Sequence, residues 1–307
     1  MELFREPSQP PSGVYRVAAL GDFDGVHLGH QSVIQLGLKR ARETGTCFCL
    51  ITFNPPLAKI GRGAQEICLL TTVDDKVELF RSLGVHAVWI AHPPRDGLAR
   101  APQSLLERYV ARGLGATEFA TGSVCRSLGP DAPGASALTK VAAQLGIGTL
   151  RADAVSMAGG VISSSRVRSL VESARVREAA RLLGRPHFVC GIVVHGRGRG
   201  RAFGFPSANV SAETECLPPN GVYACRAIFR DASYPAIVSI GPRPTFDDDE
   251  KAVEAHIIGF DGDLYGARIK LEVVELLRAQ QKFDSPALLA RQIERDIIRV
   301  GQVLEKY

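Results

Sequence analysis

The feature that most limits the fold is the rhythm of the first 184 residues, in which short apolar runs alternate with helical patterns. VYRVAAL (14–20) precedes HQSVIQLGLKRARETG, and CFCLITF (47–53) follows; VDDKVELFRSLG leads into VHAVWIA, and SLLERYVARGL into ATEFATG. Runs that are apolar nearly throughout describe strands buried on both faces, and a helix between successive strands makes them parallel. The expectation for residues 14–184 is an α/β domain with helices on both faces of a parallel sheet. Ligands of such sheets sit at the carboxyl ends of the strands, and GDFDGVHLGH (21–30) lies at one of those ends.

Near residue 184 the rhythm changes. SSRVRSLVESARVREAARLLG, with Val167, Leu170, Val171 and Ala174 at helical spacing, gives way to RPHFVCGIVVHGRGRGRAFGFPSANV and then to short strand-like pieces. GVYACRAIF, YPAIVSIG, VEAHIIGF and ARIKLEVVELL are rich in β-branched residues and partly alternate, as in an antiparallel sheet or barrel. The last segment, SPALLARQIERDIIRVGQVLEKY, opens on a Ser cap and a Pro and repeats Leu289, Ile293, Ile297 and Val300, which predicts one amphipathic helix closing a β domain over 185–307.

With 307 residues, two domains can each bury a core without disulfides. Residues 1–13, polar and proline-rich, carry no apolar signal-peptide core and read as a flexible tail. No stretch approaches a membrane span. Seven cysteines without a CxxC pair suit reduced thiols and a cytoplasmic protein. The formal net charge of +5 is mild, enough for a nucleotide and low for a dedicated nucleic-acid binder.

Four stretches carry chemistry. In HLGH, His27 and His30 at i and i+3 of an entering helix turn can face one point. The pair alone reads as metal ligands, packing residues or phosphate-handling groups. No HExxH or cysteine cluster completes a zinc site, and the preceding strand and GDFDG favour phosphate at a helix N-terminus. In ISSSRVR (162–168), hydroxyls and arginines open a helix; they either cap it or form a second phosphate contact. GRGRGRAFGFPSAN (196–209) is either a basic, RNA-binding loop or a phosphate cradle of freed backbone N–H groups, and Ser207 and Asn209 offer hard oxygens suited to Mg²⁺. Glu254 in VEAHIIGF reads, from spacing alone, as an outward strand residue.

Together these residues resemble the bacterial bifunctional riboflavin kinase/FAD synthetase family over nearly the whole chain. The GxFDGxHxGH motif of that family's nucleotidyltransferase module is matched by Gly21, Phe23, Asp24, Gly25, His27, Gly29 and His30, and ISSTxIR by Ile162, Ser163, Ser164, Ser165, Arg166, Val167 and Arg168. Its kinase signature GxGxGRxxGFPTAN is matched through Gly196, Gly198, Gly200, Arg201, Gly204, Pro206, Ser207 and Asn209; LPPNGVY, GPRPTF, VEAHI and DGDLYG follow in order.

The resemblance implies a Rossmann-like nucleotidyltransferase domain of HxGH type, then a six-stranded antiparallel β-barrel kinase domain with a C-terminal helix. It implies ATP, Mg²⁺, riboflavin and FMN as partners, without nucleic acid or membrane. His27 and His30 would stabilise the α-phosphate of ATP and the leaving pyrophosphate while FMN attacks. Glu254 would accept the ribityl hydroxyl proton, with Mg²⁺ on Ser207 and Asn209.

The chain departs from the family where TFxPHP reads TFNPPL, so that Pro56 and Leu57 replace a histidine and a proline. A second departure is GSVCRSLGPDAPG (122–134) in place of GxDFxFG and a basic glycine loop. The alternatives are a kinase whose first module is inactive, regulatory or changed in flavin or nucleotide specificity, and an RNA-binding protein using the arginine-glycine tract.

Overall fold

The computed structural model describes residues 1–6, 14–60, 67–93, 101–123, 135–195, 205–242 and 251–307. They form two compact units, Met1–Ser164 and Ser165–Tyr307.

The first unit is built on six parallel strands: β1 (Glu2–Arg5), β2 (Val17–Leu20), β3 (Phe48–Phe53), β4 (Ala87–Ala91), β5 (Glu118–Gly122) and β6 (Gly148–Ala152). Their order is β1-β4-β3-β2-β5-β6. Strand residues alternate between two cores, which is why the runs are apolar at every position. Ala18, Leu20, Ile51 and Trp89 join one core with Tyr109 and Leu114; Val17, Ala19, Leu50 and Val88 join the other with Ile34, Leu38 and Phe80.

Helices α1 (Leu28–Thr44), α2 (Val73–Ser82), α3 (Pro102–Leu105), which continues as a π-helical run over Leu106–Leu114, and α4 (Ala135–Gln144) link the strands. Helix α1 lies so close to β3 that a Cβ on Gly37 would come 2.4 Å from the Phe48 ring. Helix α2 starts in a reciprocal capping box, with the Thr72 side chain accepting from Asp75 N and the Asp75 side chain from Thr72 N. A short hairpin, β7 (Ser156–Met157) and β8 (Gly160–Val161), leads to α5 (Ser164–Glu172).

The expectation of a flexible tail over residues 1–13 needs correction at its start. Glu2–Arg5 forms an edge strand, with Leu3 opposite Val88, and Tyr15 Oη donates to the Glu2 carboxylate at 2.8 Å. Its polar composition hid it because its partner, β4, lies more than eighty residues away.

The second unit is a closed antiparallel barrel of β9 (His187–Val194), β10 (Ala208–Ala212), β11 (Gly221–Phe229), β12 (Ala232–Pro242), β13 (Lys251–Ile257) and β14 (Arg268–Arg278), in the order β10-β13-β12-β11-β14-β9. Inward residues such as Val189, Val210, Tyr223, Val238, Val253, Ala255 and Leu271 fill it. The helical spacing through Ala174 is interrupted: α5 ends and the chain turns at Ala174, with φ at +58°, before α6 (Val176–Leu183). Val176 belongs to the barrel core, which explains why the compact units divide at Ser164/Ser165, earlier than the change of rhythm near 184. Helix α7 (Pro286–Glu305) is capped by Ser285, and its Ile293, Ile297, Val300 and Val303 pack on Val222, Ala224, Ile237 and Val274.

Candidate active site

In the sheet order the direction of winding reverses at β2: β3 and β4 follow it on one side, and the chain then returns from β4 to add β5 and β6 on the other. The segment Gly21–His27 leaves its carboxyl end, where a crevice for a ligand is expected. Three of its residues, Phe23, Gly25 and Val26, have positive φ (+49°, +80° and +43°). A β-branched valine there is strained, at a cost of about 1–3 kcal/mol, so the surroundings must over-determine the turn.

They do so through side chains. Asp24 Oδ1 accepts from the N–H groups of Leu70 (2.9 Å) and Thr71 (3.2 Å), and Thr71 Oγ1 accepts from Gly25 N at 3.0 Å. Gln31 donates to the Val26 carbonyl at 2.9 Å, and Ser164 Oγ to the Asp24 carbonyl at 2.8 Å. Asp22 accepts from Leu57 N (2.7 Å) and Ala58 N (2.9 Å). Leu57, which replaces a proline of the family pattern, therefore brings an N–H that proline lacks. Burial pushes the Asp22 carboxyl up to about 6, against the pull of Lys76 and those two N–H groups.

The turn delivers the two histidines. His27 is the N-cap of α1, and its Nδ1 accepts from His30 N at 3.3 Å, which leaves the ring proton on Nε2 as a donor. The His30 ring stacks on it with centroids 3.7 Å apart and planes 15° from parallel, and meets Phe23 edge to face. Gly29 permits this: a Cβ there would lie 3.2 Å from the His27 ring. Burial, then the neighbouring His27 and Lys76, hold the His30 imidazole well below its ordinary basicity. Its Nδ1 is buried and lacks a hydrogen-bond partner among the described residues. An orphaned nitrogen beside a helix N-terminus is the expected condition of a group whose partner is a ligand.

Of the sequence candidates, Gly21, Phe23, Asp24, Gly25, His27, Gly29, His30 and Ser164 are brought together by this turn, and Ser163 precedes it on the way into α5. Ser165 and Arg168 lie one turn apart on α5, with Arg168 Nη2 donating to Ser165 Oγ at 3.4 Å. Sequence reasoning missed Asp22, Thr52, Thr71 and Lys76. The signal for Lys76 was its place on α2, three residues after Val73 and four before Phe80, on the apolar face.

In the barrel, Gly196, Gly198, Gly200, Arg201 and Gly204 lie outside the described residues, as do most of GPRPTF and residues 124–134 of the second departure. Pro206, Ser207, Asn209 and Glu254 are described. Asn209 on β10 stands directly opposite Glu254 on β13, which in turn faces Ser239 on β12. Val253 and Ala255 point into the core, so Glu254 and its cross-strand neighbours occupy the outer face. His256 fixes the approach to β10, its Nδ1 lying 2.8 Å from the Pro206 carbonyl. Beyond the end of β9, His195 stacks on Tyr265 of DGDLYG with ring centroids 3.9 Å apart.

Fold and site thus define a two-module chain, a parallel-sheet nucleotidyltransferase of HxGH type followed by a closed kinase barrel. The FAD synthetase family model matches residues 11–166, and the riboflavin kinase family model residues 183–304. The chain is 32% identical over 294 residues to the bifunctional riboflavin kinase/FMN adenylyltransferase of Bacillus subtilis, covering 91% of this chain and 90% of that one. It is 28% identical to the protein of the same description from Escherichia coli K12, with the same coverage. A crystal structure described as the macrolide-efflux protein of Streptococcus pneumoniae is similar with a TM-score of 0.84 and 27% identity, covering 98% of this chain and 99% of that one. The chain belongs to the family of bifunctional riboflavin kinases/FMN adenylyltransferases.

Proposed function

We propose that the barrel phosphorylates riboflavin to FMN with ATP and that the parallel-sheet module transfers AMP from a second ATP to FMN, giving FAD and pyrophosphate. The observation that carries the second half is the stacked pair at the start of α1, in which the His27 cap places its ring proton on Nε2 and the His30 Nδ1 is buried without a hydrogen-bond partner among the described residues.

In the first module an FMN phosphate oxygen attacks the α-phosphorus while the bond to the β-phosphate breaks. His27 and His30 stabilise the charge that develops on the α-phosphate and the leaving pyrophosphate, aided by the N-terminus of α1. Ser163, Ser164, Ser165 and Arg168 supply further phosphate contacts from the start of α5, and Gly21, Phe23, Asp24, Gly25 and Gly29 shape the turn around the nucleotide. In the second module Glu254 accepts the proton of the ribityl 5′-hydroxyl, which attacks the γ-phosphorus and releases ADP. By the family resemblance, Gly196, Gly198, Gly200, Arg201, Gly204 and Pro206 contact the phosphates of ATP.

Ser207 and Asn209 fit a magnesium ion held together with ATP: both offer neutral hard oxygens, and Asn209 lies across from Glu254. The ion would offset the charge of the transferring phosphate. We place the activities at 14–184 and 185–307, and the protein in the cytoplasm, where the buried thiols of Cys49, Cys190, Cys216 and Cys225 stay reduced.

Chromatographic product analysis after incubation with ATP, Mg²⁺ and either riboflavin or FMN tests the reading. FMN from riboflavin and FAD from FMN are expected. FMN without FAD would restrict the chain to the kinase and leave HLGH without a catalytic role.

A further inference from the structure

Lys76 is a charged residue where packing alone calls for a neutral one. It sits on the apolar face of α2 with 2% of its surface exposed. Its ammonium donates to the Asp22 carbonyl at 2.8 Å and to Thr52 Oγ1 at 3.3 Å. A buried ammonium is expensive, and a methionine of similar volume would fill the same space without desolvation. Its first acceptor is the backbone of the strained turn, one residue before Phe23, whose ring meets that of His30. Thr52, its second acceptor, also reaches the Asp22 carbonyl at 3.3 Å, so β3, α2 and the turn share one polar knot.

We propose that Lys76 is a positioning residue for adenylyl transfer: its buried ammonium holds the Asp22 carbonyl, and with it the turn that sets His27 and His30, and keeps a fixed positive charge near the His30 ring. The inference rests on the adenylylation reading of this module. The charged and titratable groups that share this electrostatic environment are Asp22 and Asp24 from the turn and His27 and His30 from the start of α1, with Asp75 beside Lys76 on α2. Burial and the two carboxylates pull Lys76 in opposite directions, burial being the stronger. The nearby cation, after burial and His27, opposes protonation of His30 and so favours the neutral ring.

The test uses the full chain, in which riboflavin phosphorylation by the barrel reports on the preparation. In Lys76→Met, kcat for FAD formation should fall roughly 10- to 100-fold, as for a misplaced catalytic group, with riboflavin phosphorylation within about twofold of the parent. The acid limb of its pH profile should move to higher pH, because His30 has lost a neighbouring cation. A merely structural lysine would lower the rate without moving that limb, and this result, or an unchanged rate, overturns the proposal. If Lys76→Met does not fold, Lys76→Gln decides: its amide can still donate to the Asp22 carbonyl while the cation is gone, and its acid limb should move the same way, whereas an unmoved limb refutes the role. If the parent protein makes no FAD, the adenylylation reading itself has failed. NMR titration of His30 then still reads the charge effect, an unchanged titration in Lys76→Met counting against the proposal and a displacement to higher pH supporting it.

Discussion

The ring of His27 caps helix α1 through Nδ1 and stacks on the ring of His30 at a centroid distance of 3.7 Å. One residue thus serves as helix cap, tautomer lock and platform for its neighbour, which makes the geometry sensitive to anything wedged beneath it.

Gly29 is where that sensitivity is easiest to probe. A methyl in Gly29→Ala would lie 3.2 Å from His27 Cε1 and Nδ1 and 3.6 Å from the Ile162 carbonyl, so the ring must give by a few tenths of an ångström. FAD formation should fall about 10-fold or more while riboflavin phosphorylation is unchanged. The two rates measured on one preparation check this; equal loss of both would contradict a local effect.

Glu254 stands on the outer face of β13, opposite Asn209, with its neighbours Val253 and Ala255 holding the strand in the core. Glu254→Gln should therefore leave the melting temperature nearly unchanged and lower riboflavin phosphorylation by roughly 100-fold or more, as loss of a general base does. Near-normal turnover would refute the assigned role.

Stability should respond to acid in opposite senses in the two units. His187 is buried, with Nε2 lying 2.9 Å from the Cys216 carbonyl, and burial pushes its ring down to about 4 from 6.5. The folded barrel disfavours the charged ring, so its stability is full above pH 6.5 and is lost as pH falls toward 4, by up to about 3 kcal/mol. Asp22 is raised to about 6 from 3.8, so its contribution is full below pH 3.8 and is lost as pH rises through 6. Denaturant unfolding at a series of pH values should show a shallower acid loss for the barrel unit in His187→Gln.

On the barrel, Asp296 of α7 is almost fully buried and binds Arg278 of β14 through Nε (3.0 Å) and Nη2 (2.8 Å), with Gln292 donating at 2.9 Å. Asp296→Ala leaves the guanidinium without its carboxylate partner and should destabilise the barrel unit by about 2–3 kcal/mol, read from its denaturation midpoint. Since α7 carries no proposed site residue, kcat for FMN formation at low temperature should be nearly retained.

Whatever depends on neighbours in the chain was legible from the residues alone. Unbroken apolar runs with helices between them dictated a parallel sheet, and alternation with turns dictated an antiparallel β domain, because one period sets which faces are covered. GDFDGVHLGH announced its own site because a strand end, a glycine turn and a helix start are all local. The tertiary structure decided what depends on distant partners. Glu2–Arg5 became a strand only because β4 presented an edge, and the chain turned at Ala174 as Val176 joined the barrel core. Asn209 met Glu254 through a register that no local pattern encodes. Lys76 shows the reason most plainly: a lysine on a helix reads as solvated, and only the Asp22 carbonyl and Thr52, folded over it from elsewhere in the chain, make its burial tolerable.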